Sequence, residues 1–320
     1  MSDQAEGLRQ LALATRATSR GATTTLLEPD AVSSRDQPSF GAEQLGTRSM
    51  LFTSGKGGVG TSSIVLNLAM ALSELGQKVL VVDADLGLAN LDLLCGLAPR
   101  YDLGDVLGGR CTLTEAIHNG PGGIMIVPGA HALRTKCQTL SGGSARVADQ
   151  LKELESGADF ILVDAGSGLK PGLKMLASAA DEVVVVTTPE PTSLADAHAV
   201  IGRFKRMAAQ PRLRIIVNQA GSEREAAEIV DRLVVSSRQF LGAVIRPLGP
   251  GSVRHDARVS VAVRNREPFI SVFPAILPSR SLRRIAKAIV QEFRPHTQTG
   301  RGGFFSDMAA RWGLALTHGD

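Results

Sequence analysis

The stretch from Ser54 to Ser62, SGKGGVGTS, constrains this chain more than any other. It follows a short apolar run, Met50-Leu51-Phe52-Thr53. It precedes a segment in which Ile64, Leu66, Leu68, Met70, Ala71, Leu72 and Leu75 form a mostly helical apolar face ending at Gly76. A buried strand, a glycine loop and a helix start, in that order, aim backbone N–H groups and a helix N-terminus at an anion. The spacing Gly55–Gly60–Ser62 fits the phosphate-loop pattern G-x-x-x-x-G-K-[ST], except that Thr61 stands where the lysine belongs. Gly57, Gly58 and Gly60 let the backbone wrap closely round a phosphate chain, and Ser62 is the hydroxyl placed to ligate Mg²⁺. The plain alternative is a glycine-rich turn that binds nothing; the flanking strand and helix weigh against it.

The same alternation continues along the chain. Apolar runs at 50–53, 79–83, 123–127, 159–164, 182–187, 212–218 and 243–247 are separated by helical patterns near 62–75, 146–155, 171–180, 193–208, 222–240 and 279–293. Continuous apolar runs predict strands buried on both faces. The expected fold is therefore α/β, a doubly wound, mainly parallel sheet with helices on both faces and a ligand at the carboxyl ends of its strands. Two of these strands end in aspartate, one at Asp83 with Asp85 close behind, the other at Asp164. Carboxylates at that sheet edge suit indirect Mg²⁺ coordination and the orientation of an attacking water. Each one alone is also compatible with capping a loop.

Aromatic residues are only 4% of the 320, so the core must rest on Val, Leu, Ile and Ala. Three scattered cysteines, Cys95, Cys111 and Cys137, point to a reducing compartment. The polar N-terminus is no signal peptide and the longest valine-rich runs are too short to cross a bilayer, so a cytoplasmic location is expected. Residues 1–15 form a short amphipathic segment, 16–47 a Thr/Ser/Gly/Pro-rich linker and 48–294 the globular domain. Residues 295–320 comprise a polar hinge and a final amphipathic segment. There Phe304, Met308 and Trp312 are spaced four apart, and Phe305 broadens the same side. Such a helix suits a membrane interface; docking on the protein's own core or on a dimer partner is the alternative. Between Arg232 and Arg301 thirteen Arg and Lys face only Asp256, Glu267 and Glu292. That imbalance reads as a solvated basic surface or as affinity for an anionic partner.

These residues also carry a family resemblance. SGKGGVG, with Lys56 early in the loop, resembles the deviant Walker A motif of the MinD/ParA class of P-loop ATPases, and VDADLGLANLDLLCGL (82–97) is similar to that class's second nucleotide motif. Within the class, GPGGIMIVPGA (120–130), EPTSLADAHAVI (190–201), VNQAGSEREA (217–226) and the start DQAEGLR (3–9) resemble the flagellar regulators called FlhG or FleN. The resemblance implies ATP or ADP with Mg²⁺ as cofactors, held by Gly55, Lys56, Gly57, Gly58, Val59, Gly60, Thr61, Ser62 and Ser63, with Asn218 against the adenine and Ser62, Asp83 and Asp164 toward the metal. It implies a homodimer formed with ATP, in which Lys56 reaches the partner's nucleotide and Asp85 orients water. The chain would then be a switch ATPase regulating flagellar number or placement. Asp3 and Gln4 would stimulate the GTPase FlhF, and Phe304, Phe305, Met308 and Trp312 would attach it reversibly to the inner face of the membrane. Flagellar switch-complex proteins or a flagellar transcription regulator are the further partners; DNA is not expected. Thr61 departs from the pattern, because its hydroxyl cannot neutralise phosphate charge, and this implies weak turnover. Ala165, where relatives usually carry threonine, is a smaller departure. Two other readings stay open: a non-hydrolysing nucleotide-binding scaffold, and a ParA-like positioning protein for DNA or another polar organelle. Iron–sulfur electron transfer is disfavoured, since no cysteine here has a recognisable flanking motif.

Overall fold

The alternating pattern resolves, in a computed structural model of the chain, into one eight-stranded sheet with helices on both faces. The structure describes residues 47–85, 90–107, 110–129, 155–168, 172–208, 210–292, 303–305 and 307–308. The strands are β1 (Arg48–Ser54), β2 (Val79–Asp83), β3 (His118–Asn119), β4 (Met125–Val127), β5 (Phe160–Ser167), β6 (Glu182–Thr187), β7 (Arg212–Ala220) and β8 (Ile245–Arg254). They stand in the order β3-β4-β2-β5-β1-β6-β7-β8. All neighbours are parallel except β3, which pairs antiparallel with β4. The glycine loop therefore hangs from a central strand, flanked by β5 and β6, where the chain's order reverses and open α/β sheets form their ligand crevice.

Side chains on each strand divide between two cores. Met50, Phe52, Val81, Leu162 and Val184 enter one; Leu51, Leu80, Ile161, Val163 and Val183 enter the other. With both faces covered, the strand interiors are mostly apolar, and this is why the runs are continuous rather than alternating; polar side chains such as Asp83, Asp164 and Glu182 sit toward strand ends. The first face is covered by α1 (Thr61–Ser73) and α10 (Leu277–Glu292), with Ala262 of α8 (Arg258–Asn265) and Phe269 and Ile270 of α9 (Phe269–Val272). Asn67, buried in mid-helix, joins these elements: its side-chain oxygen accepts the Ile270 N–H at 2.9 Å and its amide donates to the Ser63 carbonyl at 2.8 Å. The second face is covered by α5 (Leu173–Ala179), α6 (Pro191–Lys205) and α7 (Glu223–Leu241). Helix α6 opens on a proline, which needs no N–H partner there, and α7 runs from a Ser222 cap to Gly242 in the left-handed conformation.

Three short helices, α2 (Leu91–Cys95), α3 (Leu103–Leu107) and α4 (Leu113–Ala116), and strand β3 occupy the stretch before β4, where the sequence predicts no element. Each is too short to show a period, although Thr112 and Glu115 cap α4 reciprocally. The strand expected at 123–127 is confined to Met125–Val127, because Pro121–Gly123 form a 3₁₀ turn. Strand β8, expected to stop at 247, continues to Arg254 through the irregular Pro247–Gly251 stretch, its pairing to β7 resuming at Val217 and Ser252. Most of the helix expected at 146–155 lies outside the described residues, as do Asp3, Gln4 and the 1–15 segment.

For one expectation the structure holds the alternative. Phe304 and Phe305, placed by their spacing on a lipid-facing side, are 3% and 2% exposed and belong to the second core, their rings edge to face with centroids 5.0 Å apart. Their amides donate to the Glu155 carboxylate, and the half-buried Met308 packs on the same core. Rings spaced for one helical side fit a protein groove as well as a bilayer, and here the groove holds them. Trp312 lies outside the described residues. No helix among the described residues is long and apolar enough to cross a membrane.

Candidate functional site

Strand β1 ends at Ser54 beneath a cleft of about 810 Å³ at the carboxyl edge of the sheet. The loop from 55 to 60 turns into α1 through Gly60, whose φ of +87° is left-handed; a Cβ there would also approach the Asn218 side-chain nitrogen to 2.6 Å. Helix α1 has no side-chain cap and no acidic residue in its first turn. The leading N–H groups of a helix have no partner within it, so those of α1 face the cleft as anion donors. Gly57, Gly58, Gly60, Thr61, Ser62 and Ser63 all line this space, as do Asp85 and Asn218. Gly55, Lys56 and Val59 do not.

Thr61, at the position of the missing lysine, is 6% exposed, and its hydroxyl is buried with no hydrogen-bond partner. A buried hydroxyl left unpaired costs about 1–3 kcal/mol, so the residue in the lysine's place carries an unmet polar demand at the lining of the cleft. Lys56 does not meet it. Its ammonium turns away to Glu190, at 2.6 Å, and to the Thr192 hydroxyl, at 3.3 Å. Both partners of that ion pair are about half exposed, at 42% and 62%, so the pair is weak and breaks readily.

Asp83 and Asp164 stand opposite each other across β2 and β5, both 1% exposed, beneath the loop rather than in the cleft. Asp83 accepts the N–H groups of Asp85, Asn90 and Leu91 at 3.0, 3.0 and 3.2 Å. Asp164 accepts that of Gly166 at 2.9 Å. Burial, and then the facing Asp164, push the Asp83 carboxyl up to about 7 in spite of those three donors. A divalent cation above the pair would relieve this repulsion. Asp85 does line the cleft. It packs against Gly166, at a φ of +63°, so closely that any side chain at 166 would overlap its carboxylate.

Asn218, at the end of β7, donates to the Val59 carbonyl at 2.7 Å and so fastens the phosphate loop to the wall beyond it. That wall includes residues the sequence does not single out. Gln219 sits in the left-handed region at φ 59°, and Arg254 donates to the carbonyls of Ala220 and Gly221 at 3.3 and 2.6 Å. His255 and Asp256 follow, the Asp256 carboxyl drawn down to about 2 by its hydrogen bonds to Arg258. Glu190 is a further omission, although it falls within the 190–201 stretch quoted above. The only available signal for these residues is their place at strand ends and loops on the carboxyl edge.

The cradle fits a polyphosphate: free helix N–H groups, glycines where side chains would intrude, hydroxyls at Thr61 and Ser62, and paired carboxylates below. The AAA domain family matches residues 47–216. The chain is 33% identical over 253 residues to the antiactivator FleN of Pseudomonas aeruginosa, covering 79% of this chain and 90% of that protein. The chain belongs to the MinD/ParA family of P-loop ATPases. It is also 32% identical to the flagellum site-determining protein YlxH of Helicobacter pylori, over 81% of this chain and 87% of that one. The solved structure of MinD complexed with Mg-ADP from Pyrococcus horikoshii superposes with a TM-score of 0.61 at 28% identity, covering 76% of this chain and 96% of that chain. The MinD/ParA architecture, an eight-stranded and mostly parallel sheet under helices, is the one described above.

Proposed function

We propose that this chain is an ATP-driven switch that controls flagellar number or placement. Its relatives FleN and YlxH, by their names an antiactivator and a flagellum site-determining protein, support that role. In this reading the α1 N-terminus and the 55–63 backbone hold the phosphates, Asn218 and the Gln219–Asp256 wall hold the base, and Asp85 orients water. Ser62, with the Asp83 and Asp164 carboxylates, would hold Mg²⁺, which would supply neutralisation of phosphate charge. The observation that carries the proposal is the unpaired Thr61 hydroxyl in the lysine's place together with a Lys56 held outside its own cleft. A protomer therefore supplies no lysine to its own phosphates. Two protomers closed face to face repair this by exchanging Lys56, once Glu190 and Thr192 release it. Dimerisation then supplies the missing charge rather than adding to it.

The C-terminal segment gives this switch a membrane readout. Phe304 and Phe305 cannot occupy the second core and a bilayer at once, so attachment requires them to leave Glu155. At the other end of the chain, Asp3 and Gln4 stimulate a FlhF-type GTPase. The test is sedimentation and phosphate release with ATP, ADP and no nucleotide. Wild-type protein dimerises only with ATP and turns over slowly, and Lys56→Ala stays monomeric. Thr61→Lys raises turnover by about tenfold or more, as a restored phosphate-site cation should. A protein that stays monomeric at saturating ATP with Mg²⁺ overturns the proposal. Dimerisation with no measurable turnover selects the scaffold reading, which Thr61 also favours.

A further inference from the structure

The edge of the sheet opposite the cleft carries an unassigned surface. There β6, β7 and β8 begin, and α6 and α7 end, because each helix runs back antiparallel to its strands. Phe240 and Val244 flank the turn between α7 and β8 and are 72% and 69% exposed, among the most exposed large apolar side chains described. Around them stand Arg206, Arg212, Arg238 and Arg246, all exposed. Strand register brings them together: Leu213 pairs with Ile245 and Arg214 with Arg246, so Arg212 starts its strand beside Val244. A side chain added at Gly202 would meet both Leu241 and the Arg206 guanidinium, and one added at Gly242 would meet the Lys205 stem, so the ends of α6 and α7 lie together.

The acidic residues Glu182, Glu292 and Asp181 beside these strand starts are already engaged. Glu182 pairs with Arg48 and Arg214, Glu292 pairs with Arg214, and Asp181 accepts from the Ser49 N–H and hydroxyl. None of the four surrounding arginines forms an ion pair among the described residues. An unpaired cationic ring around protruding apolar tips matches an anionic lipid surface: arginines at the headgroup phosphates, Phe240 and Val244 below them. A nucleic-acid backbone would satisfy the arginines but give Val244 nothing apolar to enter. Phe304 and Phe305 dock at this same edge, through Glu155 just ahead of β5.

We infer that this edge of the β6–β8 half of the sheet is a second membrane contact, selective for anionic lipid and independent of the C-terminal segment and of nucleotide. It needs no release of Phe304 and Phe305, and so goes beyond the function proposed above. The experiment is flotation of the full-length chain, without nucleotide, on phosphatidylcholine vesicles with and without phosphatidylglycerol, beside filter binding to duplex DNA. The variants are Arg206→Glu with Arg246→Glu, Phe240→Ser with Val244→Ser, and Trp312→Ser. Expected is binding only to the phosphatidylglycerol vesicles, reduced at least about tenfold by the double charge reversal. The apolar double variant weakens it too, and Trp312→Ser leaves it unchanged. Binding abolished by Trp312→Ser but untouched by both double variants overturns this inference and leaves the C-terminal anchor standing. Duplex DNA binding lost on charge reversal, with no preference for phosphatidylglycerol, overturns it in favour of nucleic acid. ATP-dependent dimerisation, retained in both double variants, keeps the outcome separate from that of the switch.

Discussion

At the carboxyl edge of the sheet, β1 gives way to a loop with left-handed glycines, an uncapped helix and a buried hydroxyl that has no partner. At the amino edge the same strand begins at Arg48, whose guanidinium meets a buried Glu182 at 2.7 Å, and Glu182 also meets Arg214 at 3.1 Å. One edge leaves polar groups waiting for a ligand. The other satisfies its buried charges within the fold and leaves unpaired only those that face solvent. The contrast teaches that strand ends, not strands, divide binding from stability here, since both edges share the same apolar interior.

Substitutions at the two edges should therefore have opposite signatures. The largest effect on folding comes from Glu182→Ala, which strands Arg48 and leaves Arg214 only the half-exposed Glu292, the two arginines being about one-seventh exposed at 13% and 14%. Breaking a buried ion cluster this way costs about 3–5 kcal/mol. Urea unfolding measures that loss, and calorimetric titration with ATP and Mg²⁺ should show near-normal affinity in the protein that remains folded. A large loss of affinity without loss of stability would erase the division.

Glu155 gives the next effect, as a pH dependence. Burial pushes its carboxyl from 4.5 up to about 7, opposed by the Phe304 and Phe305 amides, with Asp181 and Asp307 adding repulsion. The folded state thus holds a proton that the unfolded chain releases. Its stabilisation is full below about 4.5 and disappears as the pH rises through about 7, a change of up to about 3 kcal/mol. Glu155→Gln should flatten this part of the curve in unfolding measured between about pH 5 and pH 8. The slope left behind belongs to Asp83, which is raised over the same range. An unchanged slope would place the whole dependence at the carboxyl edge.

The smallest effect on folding is expected from Asn218→Ala. Losing its bond to the Val59 carbonyl costs about 1 kcal/mol of stability, while nucleotide affinity falls by about tenfold as the phosphate loop loses its fastening. Titration calorimetry and unfolding on the same preparation separate the two. A stability loss as large as that of Glu182→Ala, with affinity intact, would make Asn218 a purely structural residue.

The sequence made the interior and the carboxyl edge legible for one reason: both are written locally. Strands buried on two faces read as nearly continuous apolar runs, and the phosphate loop is contiguous from Gly55 to Ser63, with Asp83 and Asp164 toward the ends of their own strands. The amino edge is not local. Glu182 meets Arg48 and Arg214 only through the register of β1, β6 and β7, and nothing in their spacing announces it. Helices α2 to α4 are shorter than a detectable period. Phe304 and Phe305 were ambiguous in principle, because a ring that partitions into lipid partitions equally into a core. Glu190 was hidden for a different cause: an exposed acid at a helix start looks like any cap until Lys56 is found against it.

The seat of Asp85 against Gly166 has a mechanical consequence. One residue follows β2 and the other closes β5, yet only a hydrogen atom's breadth is available between them. Neither loop can advance on the cleft without displacing its neighbour. A ligand that presses Asp85 toward β5 thereby displaces the end of that strand, and two positions some eighty residues apart move as a single gear tooth.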